Sequence, residues 1–539
     1  MPDLEVPSHP PAPPLTSPPT GLPTRKWILW AIFLLPLPAL IPLIGAVIVP
    51  LLHHQVPTGF IEYDLPSYHA EGRAYFDRGF HLLYANPYAG YNSPAIYFQP
   101  HTFLLGLLQQ LGLDPGITFN LFGLLTLFFA AAAAILFYLE VVGVETRSKK
   151  IALLCFFWGG GIFTLWGVAR ALFRMHRFSA IFEVEPTYGW WMLNFGRNLV
   201  YPTEAFYHGL FLFALLALVR RRLALSLVIA AIACISHPFT GVTLILILIA
   251  YSIIELFLRS GVVTVKFLLG AIVLAVLHLG YYMVWLNRFA DHRAVQQNFQ
   301  KAWLYPPKVF IGALIIVACL AIWRLASSSF RPLRDPRTRL FAVWFVVVFA
   351  LTQHNLVMRH PLQPIHFAHG YDWMALFFLG APLLLAILDR ILKMPRPLAR
   401  NAALALVLGL FLLDNAAWLI KTAINNEFIV TLTTNQSAAL TWLSQNVKPG
   451  DLVVCQDQLV SYLVSTYSPA LSWQGHEHNT PWINQRHDEV ERMFTNGQAL
   501  PDWNRPGVLY VSPANWVPPP DLALTQRYSN TDLAIWTTP

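Results

Sequence analysis

Charge is what this chain has least of. Only 12% of its 539 residues are Asp, Glu, Lys or Arg, about half the roughly 25% carried by soluble domains. Hydrophobic residues make up 56%. A soluble multidomain protein is therefore excluded, although the length alone would suggest one. Cysteine is scarce too, at four residues. Cys155, Cys234 and Cys319 lie in apolar stretches and Cys455 in the tail, so neither a disulfide framework nor a metal-binding spacing is present. No internal repeat is visible. The net charge of +8 is no nucleic-acid footprint, because the basic residues fall in short clusters between apolar runs.

What is present is a series of apolar stretches such as Trp27 to Leu52 and Leu398 to Ile420. Each is near the roughly 20 residues that cross a bilayer as a helix. The first follows Arg25 and Lys26, is too long for a signal-peptide core, and lacks a small-residue cleavage site, so it is expected to be retained. Spans are expected near 28–51, 116–142, 151–173, 203–219, 223–239, 240–258, 266–286, 307–326, 340–352, 370–390 and 400–421. The fold class is thus an α-helical polytopic membrane protein with about eleven transmembrane helices.

The basic clusters orient these spans by the excess of Lys and Arg on the cytoplasmic side. Arg25/Lys26, Arg147/Lys149/Lys150, Arg220 to Arg222, Arg331 to Arg339 and Arg390 to Arg400 are expected inside. The N-terminus is then cytoplasmic and the C-terminus outside. The long first loop, 53–115, faces out, as do Arg174 to Pro202, Asn287 to Pro306, Gln353 to His369 and the turn around His237. Three regions follow. Residues 1–24 are a Pro- and Ser-rich tail expected to be disordered. Residues 25–424 form the membrane domain. Residues 425–539 alternate helix and strand patterns and are expected to form a small α/β domain on the outer face.

The candidate chemistry gathers on that face. Glu62-Tyr63-Asp64 stands about ten residues past the first span. In an extended loop the two carboxylates would point the same way. Paired carboxylates can divide into a base and a partner of altered pKa, or hold a divalent cation. The following stretch, Tyr68-His69 through Arg73 to Asp77, has the spacing of an amphipathic helix lying on the membrane. Tyr and Phe recur from Tyr84 to Phe98, suiting an interfacial belt or stacking on a sugar ring.

Here the chain resembles the GT-C superfamily of polytopic glycosyltransferases, whose first outer loop carries a modified Asp-X-Asp signature that includes Glu-X-Asp. Glu62-Tyr63-Asp64 matches it in type and place. The resemblance implies transfer of a sugar from a polyprenyl-phosphate-linked donor to a lipid or glycan acceptor, with Asp64 as general base on the acceptor hydroxyl and Glu62 beside it. It also implies an integral protein of the bacterial inner (plasma) membrane in contact with its lipids, with no nucleic acid as partner. No cofactor is required on this reading, a divalent cation on the two carboxylates being the open alternative.

A leaving lipid phosphate, whose charge develops as the bond breaks, needs fixed cations. Arg73, Arg197, Arg293, Arg359 and His360 are the candidates, Arg being suited to bidentate phosphate binding. Tyr68, His69, His237 and His366 are candidate cavity-lining contacts, as are Glu204, His208 and His369. No metal site is expected of these histidines, whose spacing fits no zinc pattern. The run Gly475-His476-Glu477-His478 in the tail reads as a structural or acceptor-contacting loop. The competing function is a polytopic transporter or lipid-linked-sugar flippase. It is disfavoured because ionisable residues within the spans are few, chiefly His278 and Asp414.

The topology is directly testable. Reporter fusions placed after Ile420 and within Arg331 to Arg339 should report opposite sides of the membrane, and a common side for both would overturn the charge-based orientation.

Overall fold

The computed structural model describes residues 24–91, 93–183, 193–298, 304–424 and 429–538. The Pro-rich N-terminal tail lies outside the described residues, as do parts of the loops 174–202 and 287–306 and the start of the tail at 425–428. Among the described residues, eight helices are long and apolar enough to cross a membrane, from Arg25–Leu52 to Pro397–Ile424. Arg147–Trp158 and Phe163–Met175 make a ninth if counted as one span broken by a 72° bend. The chain is an integral membrane protein.

The expected count of eleven is not confirmed among the described residues, because two of the expected stretches form shorter helices. The apolar stretches at 223–239 and 340–352 are helical, but they form helices of 14 residues, Leu223–Ser236, and 17 residues, Pro336–Thr352. At about 1.5 Å per residue they are about 21 and 26 Å long, short of a hydrocarbon core of about 30 Å. The first ends at His237, whose side chain caps the next helix by accepting the N–H of Thr240.

The break in the bent span exposes backbone groups that lipid could not satisfy. They are met by two adjacent side chains of the last span. The Asp414 carboxylate accepts the N–H of Gly161 and the N–H and hydroxyl of Thr164, each at 3.0 Å. Asn415 donates to the carbonyls of Trp158 and Gly159 at 3.1 and 3.3 Å. Glycine is required at the break: a Cβ on Gly161 would stand 2.0 Å from the Gly312 carbonyl oxygen, and one on Gly160 2.8 Å from Asp414 Cβ.

The same pair holds Arg197, which is fully buried. Its guanidinium donates to Asn415 Oδ1 at 2.8 Å, pairs with Asp414 at 3.4 Å and lies 5.1 Å over the Trp418 ring. Asn194 bonds Asn415 and caps the short helix that carries Arg197. Asn198 donates to the His369 carbonyl at 3.1 Å. The network therefore fixes both the start of the helix Pro202–Val219 and the loop that carries His366 and His369.

The first loop is ordered by the tail. Val56–Pro57 pairs antiparallel with Thr431–Leu432, and the Thr58 hydroxyl donates to the Val430 carbonyl at 2.6 Å. The helix Leu65–Ala74 packs on Pro100–Gln109 and on the tail helix Gln458–Tyr467. It is thus covered by protein on two sides rather than laid as an amphipath on the membrane. In the tail, helices 434–446, 458–467 and 483–496 accompany a five-stranded sheet. We number its strands β1 (Leu452–Cys455), β2 (Leu471–Ser472), β3 (Val508–Pro513), β4 (Thr525–Ser529) and β5 (Leu533–Thr537), and their order is β2-β1-β3-β5-β4. Strands β1, β2 and β3 are parallel, and β5 runs antiparallel to β3 and β4. Arg486 joins tail to loop, donating to the carbonyls of Tyr88, Ala89 and Trp473 at 2.7–2.9 Å.

Removing one partner of a buried ion pair typically costs about 3–5 kcal/mol, because the other charge is left uncompensated. Asp414→Ala should therefore sharply lower the melting temperature of the detergent-solubilised chain, by more than Arg73→Ala on the loop. Equal melting points would contradict the anchoring role.

Candidate active site

Glu62 and Asp64 are not in extended backbone. Asp64 has helical dihedrals, φ −73° and ψ −20°, and stands immediately before the helix Leu65–Ala74. A carboxylate at a helix N-terminus is favoured by the helix dipole. Glu62 folds back, its carboxylate accepting the Asp64 N–H at 3.0 Å. The Ser67 N–H is met by Tyr462 of the tail, at 3.0 Å, and the Tyr462 hydroxyl donates to the Tyr63 carbonyl. Asp64 is thus clamped by its own turn and by a tail residue 395 positions from Ser67.

The partner of Asp64 also comes from the tail. His476 Nε2 lies 2.7 Å from Asp64 Oδ1, across 412 residues of sequence. The imidazole stacks on the Tyr63 ring at 5.2 Å and 29°. The His476 side chain is buried, whereas that of Asp64 keeps 41% of its exposure, so the carboxylate opens outward from a covered partner.

The two carboxylates have opposite electrostatic surroundings. Burial pushes Asp64 up, but the hydrogen bond and charge of His476, then His478 and His366, outweigh it and hold Asp64 below its ordinary value. Burial and next the Asp64 charge push Glu62 well above the usual carboxylate range. One site thus contains an ionised acceptor and a carboxyl driven toward its neutral form, the arrangement in which acid and base roles separate.

Behind Asp64 lies a histidine-lined region drawn from two loops and three helices. His366 is within electrostatic reach of Asp64, stacks on Phe239 at 4.9 Å, and lies 5.9 Å from His369. His369 Nδ1 contacts Glu204 at 2.6 Å. His237 stacks on Tyr207 at 4.4 Å and 8°, and lies 5.7 Å from His369. Burial first, with neighbouring imidazoles adding to it for two of them, depresses His237, His366 and His369 to about 3, so they are neutral hydrogen-bonding groups near pH 7. Tyr68 closes the region, with its phenol pushed up by burial and then by Asp64, Glu204, Glu71 and Glu62.

Glu62, Asp64, Tyr68, His237 and His366 are therefore brought to one region. The remaining expected contacts are committed elsewhere or open to solvent. His69 bonds Gln109 at 2.6 Å. Arg73 pairs with Asp77 at 3.1 Å, four residues along its own chain. Arg197 belongs to the buried network. Arg293 donates to the Asn287 and Arg288 carbonyls at 2.8 and 2.9 Å. Arg359 and His360 are exposed. No group of three or more His, Cys, Asp or Glu among the described residues is arranged to hold a metal ion. Sequence reasoning did not join Tyr462 to the site, and it gave His476 only as part of a structural or acceptor-contacting loop. The signal for His476 was its place in a dense His-Glu-His run, but nothing in that run names its partner.

No protein-family profile and no curated protein matches the chain. Among solved structures it is similar to the archaeal oligosaccharyltransferase AglB from Archaeoglobus fulgidus in complex with an inhibitory peptide and a dolichol-phosphate, at 13% identity over 90% of this chain and 69% of that one, with a TM-score of 0.42. It is likewise similar to ArnT from Cupriavidus metallidurans bound to undecaprenyl phosphate, at 12% identity over 95% of this chain and 98% of that one, with a TM-score of 0.48.

Proposed function

We propose that this chain is a membrane glycosyltransferase that moves a sugar from a polyprenyl-phosphate-linked donor to a hydroxyl acceptor at the outer membrane face. The observation that carries this reading is the Glu62/Asp64 pair itself. Two carboxylates of divergent protonation meet at a half-open site beside a buried wall of imidazoles.

Asp64 is the general base. The acceptor oxygen attacks the anomeric carbon, its proton passes to the carboxylate, and the bond from that carbon to the phosphate oxygen breaks with its electron pair leaving on the phosphate. A single displacement of this kind inverts the anomeric centre. The base must be within about 2.6–3.2 Å of the proton it removes, and the exposed side of Asp64 suits an acceptor arriving from solvent or from a second lipid. The departing phosphate needs preorganised donors. The N–H groups of His366 and His237, in the histidine-lined region beside Asp64, suit this role in place of the arginines first considered. A buried polar lining excludes bulk water and strengthens those contacts.

The C-terminal elements belong to the catalytic unit on this reading, because they supply Tyr462 and His476. An outward C-terminus, expected from the charge pattern, puts them on the same side as Asp64. That the polar groups collect at one end of the bundle, rather than along a route through it, favours surface chemistry over transport.

Asp64→Asn keeps the shape and removes the base. Since general-base catalysis typically contributes about 10²–10⁴ in rate, the variant should insert and fold normally yet lose most sugar transfer, measured with the donor the wild type accepts. Glu62→Gln should cost far less, as its carboxyl is already driven toward the neutral form. An equal loss would favour a cation held by both carboxylates, and an active Asp64→Asn would remove the assignment.

A further inference from the structure

We propose that His476 is the positioning residue for Asp64: it holds one carboxylate oxygen, leaves the other for the acceptor, and makes the tail loop 475–480 part of the reaction machinery. The role in transfer rests on the reading of Asp64 as base, while the contact itself does not.

The tautomer follows from the hydrogen bonds. His476 Nδ1 accepts the His478 N–H at 3.2 Å. In the neutral ring Nδ1 therefore carries no proton, and Nε2 must carry it. Nε2 then donates to Asp64 Oδ1 at 2.7 Å. Both ring nitrogens are committed, which places His476 to hold the carboxylate. Its effect is to fix the carboxylate and to stabilise the ionised form. Oδ2 makes no hydrogen bond to the described residues, and it is the oxygen left to remove a proton.

His476 is fixed both at its ring and through the loop that carries it. It is 3% exposed and stacks on Tyr63. The Thr480 hydroxyl donates to the His476 carbonyl at 2.8 Å and accepts the Gly475 N–H at 3.1 Å. Asn298 donates to the carbonyls of Glu477 and Thr480 at 3.2 and 2.9 Å. Asn86 donates to the Asn479 carbonyl at 2.7 Å. A loop tied to the end of a helix and to the first loop is an elaborate way to place one imidazole. Stability alone does not account for it, since a single hydrogen bond to a carboxylate this exposed contributes little. Misplacing a reacting group by about 1 Å can cost about a hundredfold in rate, which does account for it.

The ionisable groups facing Asp64 are Glu62, Tyr63, Tyr68, Tyr201, His366, Tyr462, His476 and His478. Of these, the hydrogen bond from His476 is the largest influence favouring the ionised form, and burial is the largest opposing it. Without the donor, the Asp64 pKa must rise. A base active only when ionised would then lose activity at a higher pH than in the wild type.

The test uses the full-length purified chain with His476→Phe, which keeps a stacked ring but has no donor, and His476→Gln, which keeps a donor. A carbodiimide reacts with protonated carboxyls, so labelling of Asp64 with a carbodiimide and an amine, followed by mass spectrometry across pH, reads its protonation without any substrate. The Phe variant should label Asp64 up to a higher pH, and the Gln variant should stay near the wild type. In transfer assays with the accepted polyprenyl-phosphate sugar, the Phe variant should lose about tenfold to a hundredfold in kcat, with its acidic limb moved to higher pH and KM little changed. Gln should restore most of the rate. Unmoved labelling in the Phe variant overturns the contact. Moved labelling with full transfer, in a protein whose Asp64→Asn form is dead, overturns the positioning role alone. An active Asp64→Asn form overturns the transferase reading and leaves the contact standing on the labelling. If His476→Phe does not fold, Asn298→Ala, which only loosens the loop, should shift labelling in the same direction and by less, and no shift there counts against the proposal.

Discussion

The structure depends on how a carboxylate and an amide inside the bundle are satisfied. Asp414 and Asn415 sit in the last span, where an uncompensated charge would be intolerable. They are occupied completely by a broken helix on one side and by Arg197 with Asn194 on the other. This allows the span containing Gly159 to Gly161 to bend by 72° without leaving backbone groups bare. It also anchors the start of the helix that carries Glu204 and His208. Through Asn198 it fixes the His369 carbonyl as well. The imidazole wall behind Asp64 is thus positioned by a polar network on the opposite side of the same short helix.

A second constraint shapes the reactive end. A carboxylate that must remain ionised beside apolar loops needs donors, and a base that must act needs one oxygen uncommitted. The turn before Leu65 meets both demands with a helix N-terminus below and a single imidazole above. Glu62 is met only by backbone N–H groups and is driven the other way, first by burial and then by the charge it accompanies. The difference between the two carboxylates is therefore one of surroundings, not of residue type.

Much of this was legible in the sequence because it is local. Apolar runs revealed the membrane helices, and the Glu-Tyr-Asp tripeptide and the histidines around 366–369 marked one end of them. Length misled where turns cut a run short: His237-Pro238 ends a helix at Ser236 after 14 residues, several fewer than the apolar run suggests. Arg197 misled for a different reason. Near the start of a span it has the profile of a headgroup or phosphate ligand, and only the approach of Asp414, 217 positions away, makes it an internal counter-ion. The pairing of Asp64 with His476 was illegible on the same ground. It depends on Val56–Pro57 pairing with Thr431–Leu432 and on Tyr462 reaching Ser67, contacts that no periodicity encodes.

The central claim is that Asp64 serves sugar transfer from a lipid-linked donor. The most direct measurement incubates the purified chain with a panel of polyprenyl-phosphate sugars and follows release of free polyprenyl phosphate. The account predicts release from at least one donor, with the sugar recovered on an added hydroxyl acceptor or on water. Intact donors across the whole panel, together with movement of a lipid-linked sugar between leaflets of proteoliposomes, would contradict it and favour transport.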